Sequence, residues 1–465
     1  MTYAKVVWIP YPYEAGFSIT DDPDASTLEQ TRIVYDFLMS KSFVTTKAIW
    51  AFRPTEKCGI PPIPDSALRG ITLADEQYLF YCKELHENGF ELCLHGASAG
   101  NNKRENTIDA FNLISEVMGS SDTFICHSKN AENIYWEDKI TSRLPFQSIL
   151  RMYSKHSCEG ELKESPYFWG DICNKKINQI RLYRTRYTNT LKRNPSMPYF
   201  DPDKPLVNGW FSATKRSLAD CANEDVLDIL KKEHGLTILY QYLHRYAQQK
   251  TGQVSEQFAE SIERISSDPK ILVDTISTIM KRLRQIQSVF IVFQENAFWI
   301  LNTSDEDINN LQIVTDYPIS IEKQDDNVNN FERSIVIKTL TKKSIMLIRV
   351  SDQIVFLNKN ALSMNKNRRL ICTLPLGKLF VNLSGETWLI KENESINPGS
   401  FHLEIKYSGT GIPLLSTLSY KEELTLLTDQ FSIFAREVLL RKRSLDIDKY
   451  LDSTKEIPME NHDNW

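Results

Sequence analysis

Two adjacent carboxylates, Asp21 and Asp22, stand in the run Phe17-Ser18-Ile19-Thr20-Asp21-Asp22-Pro23-Asp24. The run lies between an extended, β-prone segment and a helix start at Ser26-Thr27-Leu28-Glu29, which has capping-box chemistry. Three histidines occupy comparable places: His95 after residues 90–94, His127 after residues 123–126, and His244 at the close of the strand-like run from Leu236. In α/β folds the C-terminal ends of strands are where sites are built. Carboxylates and imidazoles gathered there are metal chemistry, because Zn²⁺ takes both ligand types and keeps a position open for water. The metal lowers the pKa of that water, an unligated carboxylate takes the proton, and a histidine protonates the leaving group. The competing reading is local. Asp22 or Asp24 caps the helix, and a histidine ending a buried strand is a hydrogen-bonded structural residue.

The elements that must position these groups alternate. Residues 28–39 carry Leu28, Ile33, Val34, Phe37 and Leu38 at helical spacing, and 43–52 reads as a strand ended by Arg53-Pro54. A helix over 73–87 closes at Asn88-Gly89, followed by a strand at 90–94, a helix over 105–118 and a strand at 123–126. Such βα alternation implies a parallel sheet with helices outside it. The signal weakens over 140–205, where a helix near 146–154 and a strand at 177–183 are expected. It returns with a helix over 226–232, the strand from Leu236 and two further helices.

Near residue 286 the pattern changes to short β runs separated by Asn-, Asp- and Lys-rich loops, which suggests a β-sandwich. Residues 420–442 read as a helix with Leu424, Leu427, Phe431, Phe434 and Leu439 on one face. The expected domains are 1–286 as the α/β unit, 287–418 as a sandwich-like unit, and 419–465 as a C-terminal helix and polar tail.

Thr20-Asp21-Asp22 after one strand and Leu94-His95-Gly96 after another resemble the polysaccharide deacetylases of the carbohydrate esterase family 4 type. The resemblance covers residues 1–286 and implies a distorted (β/α)7 barrel that hydrolyses N- or O-acetyl groups on sugars with a divalent metal, zinc foremost. Carried over by position, it makes Asp21 the general base, Asp22 and His95 metal ligands, and His244 the nearest candidate for the acid histidine, with an alignment free to slip by two residues. The family places a second histidine four residues after the first; here that position is Ala99, whose methyl cannot ligate. Asn101, Asn102 or His127 then stands as the replacement, and the family's Arg-Pro-Pro-Tyr motif is absent where His127-Ser128-Lys129-Asn130 stands.

Arg184 and Arg186 could hold a substrate carboxylate or phosphate, or form a surface charge strip. Trp210 could stack on a sugar ring or belong to the core. A formal net charge of −5 argues against broad nucleic-acid binding, and no apolar run approaches a membrane span. Eight cysteines without CxxC pairs, and an N-terminus without an apolar signal core, fit a cytoplasmic protein. The expected partner is a glycan or sugar conjugate, either as substrate of a hydrolase or as ligand of a barrel that has lost its metal and only binds glycan or protein.

Overall fold

The computed structural model describes residues 2–60, 62, 70–119, 121–135, 158–195, 197–199, 204–322 and 325–357, followed by strand segments at 361–363, 369–374, 377–381, 387–390, 400–407, 413–418 and 456–458. The chain forms two compact units, Tyr13–Met280 with Arg441–Trp465, and Met1–Pro12 with Lys281–Leu440. The helices expected over 146–154 and 420–442 lie outside the described residues.

After β1 (Thr2–Val7) come the strands of the first unit: β2 (Ala15–Asp21), β3 (Thr46–Ile49), β4 (Glu91–Leu94), β5 (Thr123–Phe124), β6 (Gln179–Thr185), β7 (Trp210–Thr214) and β8 (Leu236–Gln241). They pair in parallel in chain order, and β8 pairs with β2, which closes a seven-stranded barrel. β9 (Ala247–Gln248) and β10 (Gln253–Val254) make a small hairpin, and β11 (Ile271–Val273) pairs with β2. β8 takes one edge of β2 over Gly16–Asp21, so β11 at Ala15 to Phe17 and β3 at Thr20 and Asp21 share the other. That shared edge is the distortion of the (β/α)7 barrel.

The helices are built as their sequences dictate. In α1 (Leu28–Ser40), Thr27 accepts from Gln30 N and the Gln30 side chain accepts from Thr27 N, closing a capping box. Thr31, Val34, Tyr35 and Leu38 then bury one face. In α2 (Glu76–Glu87), Asp75 caps and Tyr78, Tyr81, Cys82 and Leu85 repeat that spacing. Leu38, Leu85, Phe17, Ile19, Phe90 and Leu239 join one apolar cluster. Each large side chain fully buried there contributes about 1.5–3 kcal/mol.

The second unit takes β1. The sequence reading groups residues 1–286, whereas β1 pairs antiparallel with β14 (Ile308–Thr315) and parallel with β18 (Ile354–Phe356). Its burial alternates at Thr2 to Lys5, with one face wet, while β2 is buried at every position as a barrel strand must be. β1, β14, β18, β15 (Val328–Phe331) and β16 (Ser334–Leu340) form one sheet. β12 (Val289–Gln294), β13 (Ala297–Asn302), β17 (Ser344–Arg349) and β19 (Ala361–Ser363) form another. Val6, Ile313 and Ile337 from the first share a core with Ile291, Phe298 and Ile300 from the second, as two sheets packed face to face require. β20 (Arg369–Leu374), β21 (Gly377–Val381), β22 (Thr387–Ile390), β23 (Ser400–Tyr407) and β24 (Pro413–Leu418) make a further sheet.

Among the described residues no helix is long and apolar enough to cross a membrane, and Cys58, Cys82, Cys93, Cys126, Cys158, Cys173 and Cys221 are buried free thiols.

Candidate metal centre

The acidic turn after β2 is not a helix cap, because Thr27 holds that place. Asp22 N still donates to Gln241 O, which carries the β2–β8 ladder one residue further. Pro23 biases Asp22 toward extended backbone, and Ser26 N and Oγ both return to Pro23 O. The turn therefore delivers three carboxylates to three different environments.

Asp21 is consumed by the protein. Its Oδ2 accepts from Tyr35 Oη at 2.9 Å and Lys47 Nζ at 2.8 Å, and its Oδ1 accepts from Leu243 N at 2.7 Å. Asp22 is clamped by Arg181, whose Nη1 and Nη2 reach its two oxygens at 2.8 and 2.6 Å. Burial works against the Arg181 charge, but Asp22 outweighs it and holds the guanidinium pKa above its ordinary value. Asp24 faces the histidines, with its Oδ1 3.5 Å from His95 Nε2 and its Oδ2 4.0 Å from His127 Nε2. Asp24, His95 and His127 offer ligand atoms that all lie within 4.8 Å of one another.

Both rings are held by their other nitrogen. His95 Nδ1 is 2.9 Å from Ile125 O, a carbonyl that only accepts, so Nδ1 carries the proton and Nε2 offers its lone pair to the centre. His127 Nδ1 is 2.9 Å from Asn130 Oδ1. Asn130 Nδ2 donates to Ser98 O, Gly100 O and Glu132 Oε1, which fixes that amide with its oxygen toward the ring. His127 is thereby set in the same tautomer. Trp50, just past β3, stacks on His95 at 6.0 Å and meets His127 edge-on at 5.6 Å. Gly96 follows His95 at φ +85°, and a Cβ there would press within 3.2 Å of Glu132 Oε1. One carboxylate and two oriented imidazoles are the donor set of a catalytic zinc site, so these residues fit a divalent metal.

The sequence-derived assignments fare unequally. His95 and His127 converge as expected. Asp24 lies within 4.0 Å of both imidazoles, while Asp22, held by the Arg181 fork, keeps its Oδ2 3.6 Å from His95 Nε2. Asn101 and Asn102 are spent on structure: Asn101 ties Gly59 and Ala131 backbone, and Asn102 ties Ser98, Gly100 and Glu132. His244 lies buried in the turn Leu243–Tyr246, outside the triad, where burial lowers its pKa and Asp21 opposes the shift. Trp210 is buried at the start of β7, the end of the strand remote from a C-terminal mouth, and does not face solvent. Arg184 belongs to β6, and Arg186 just beyond it is exposed. Arg181, absent from the sequence reading, is the arginine of the site. A charge flanked by Ile180 and Leu182 inside a strand was the signal for it.

Behind Asn130, Glu132 is fully enclosed, and burial lifts its carboxyl to about 7 against the donors Asn102 and Asn130. The native state holds this proton below about 7, the unfolded state only below its ordinary 4.5. Stability therefore falls as pH rises through that window, by on the order of 3 kcal/mol. Urea unfolding from pH 4.5 to 7.5 is expected to show this decline in the parent and a flatter profile in Glu132→Gln. Parallel profiles would remove Glu132 as its source.

No protein-family model matches the sequence, and no curated protein does. Among solved structures, an allantoinase, Puue, aligns at TM-score 0.34 and 9% identity over 59% of this chain and 91% of its own. Agd3, a carbohydrate deacetylase, aligns at TM-score 0.35 and 10% identity over 74% of this chain and 66% of its own. A "probable polysaccharide deacetylase" from Pseudomonas aeruginosa PAO1 aligns at TM-score 0.33 and 10% identity over 58% of this chain and 91% of its own. Polysaccharide deacetylases, the family whose motifs the sequence resembles, are thus among the structures found. The likeness is distant, and the chemistry rests on the residues above.

Proposed function

We propose that the barrel is a metal-dependent hydrolase that removes acetyl groups from a glycan or sugar conjugate. The observation that carries this reading is the gathering of Asp24, His95 and His127 with both imidazoles oriented through Nδ1. The strand-end motifs Thr20-Asp21-Asp22 and Leu94-His95-Gly96 support the substrate class. When bound, a divalent metal, zinc foremost, supplies Lewis acidity and a water of lowered pKa.

Asp22 is the carboxylate beside the centre, with Oδ2 3.6 Å from His95 Nε2, and Arg181 keeps it from turning away. Its role is to accept a proton from the attacking water. Asp21, saturated by Tyr35, Lys47 and Leu243, keeps the turn and β8 in register.

Zn²⁺ calorimetry together with acetate release from acetylated glycan oligomers tests the reading. The parent is expected to bind one equivalent and release acetate. Asp22→Asn should retain metal and lose about 10²–10⁴-fold in rate, the range for a positioned proton acceptor. A parent that binds neither Zn²⁺ nor Co²⁺ above background would leave a barrel that only binds its ligand.

A further inference from the structure

A phenol reaches Asp24 from the β8 side of the centre, and a second phenol stands behind the first. Tyr240 lies in β8 and Tyr242 just past its last residue, Gln241, and their rings lie side by side with centroids 5.4 Å apart. Tyr240 Oη donates to Tyr242 Oη at 2.6 Å, and Tyr242 Oη donates to Asp24 Oδ2 at 3.3 Å. Each ring carries a cation: the Arg181 guanidinium lies 4.4 Å over Tyr240, and that of Arg245 lies 4.4 Å over Tyr242. Arg181 also clamps Asp22, so the two carboxylates of Asp22-Pro23-Asp24 are joined a second way through Arg181, Tyr240 and Tyr242.

We propose that Tyr242, aimed by Tyr240, is a positioning residue that holds Asp24 Oδ2 and thereby presents Oδ1 to the metal as a single-oxygen ligand. The inference rests on the metal reading above. Its geometric basis is that Oδ1 lies nearer the rings, 3.5 Å from His95 Nε2, whereas Oδ2, 4.0 Å from His127 Nε2, carries the phenol. An outer partner of this kind orients a carboxylate ligand and raises its hold on the ion. Tyr242 stands two residues before His244, where the slip allowed for the expected acid histidine lands.

The test is Zn²⁺ calorimetry and the visible absorption of the Co²⁺ form on the full chain and on Tyr242→Phe, Tyr240→Phe and Asp24→Asn. Tyr242→Phe is expected to weaken Zn²⁺ binding by about 10–100-fold, the range for an outer partner, and to alter the Co²⁺ ligand-field bands. Tyr240→Phe should move both readouts in the same direction by less, because it removes only the group that aims Tyr242. A lost packing contact would lower the melting temperature without changing the Co²⁺ spectrum. Parent-like affinity and spectrum in Tyr242→Phe, with metal lost in Asp24→Asn, would overturn this inference and leave the metal reading standing. A parent that binds neither ion overturns both.

Discussion

Asp24→Asn is expected to lower Zn²⁺ affinity by at least about 100-fold, the upper end of what loss of an outer partner alone costs a metal site. The amide keeps an oxygen in place but removes the charge that offsets dehydration of a divalent ion. Asp21→Asn provides the contrast. Its carboxylate faces Tyr35, Lys47 and Leu243 rather than the histidines, so that variant should lose stability and keep its affinity for the ion. Calorimetry separates the two. Metal loss in Asp21→Asn with retention in Asp24→Asn would return the ligand role to the first part of the turn and sink the assignment.

Arg181→Met is expected to be the most destabilising single change in the barrel. Arg181 and Asp22 are both buried, and the guanidinium also donates to Thr20 Oγ1 at 3.0 Å. Removing one partner strands the other charge away from water, a loss of about 3–5 kcal/mol. Arg181→Met with Asp22→Leu should recover much of it, since an apolar pair of similar volume is often no worse than a buried ion pair. Urea unfolding of both singles and the double gives the coupling. A double variant no more stable than Arg181→Met would mean that the cost comes from lost packing and from Thr20, and the charge argument would fall. Arg181→Lys keeps the charge without the bidentate fork and should sit between parent and Arg181→Met.

Much of the barrel was legible because its rules are local. Periodic apolar residues in 28–39 with a capping box before them mark α1 almost where it lies, and the helix read over 73–87 ends where α2 does but begins three residues early, because Asp75 caps it. Glycine after His95 and a strand before it mark a strand end that carries a histidine. β1 was misplaced although its burial alternates, because an alternating strand does not say which sheet it will join. Its partner β14 lies about three hundred residues away in the chain, with register Ala4 to Thr315.

The division at the site follows from the same physics. Residue types and strand-end positions by themselves determined that carboxylates and histidines would meet at one mouth, since parallel strands point their C-terminal ends together. Only the tertiary structure decided which partner each carboxylate meets. Asp21, Asp22 and Asp24 are chemically alike, and their roles are sorted by cations arriving from other strands: Lys47 from β3 takes Asp21, and Arg181 from β6 takes Asp22. Asp24, held by neither cation, groups with both imidazoles, and Asp22 keeps its Oδ2 3.6 Å from His95 Nε2. A one-dimensional reading could not see those cations arrive, and for the same reason it placed the buried Trp210 at the site and left out the Tyr240–Tyr242 pair.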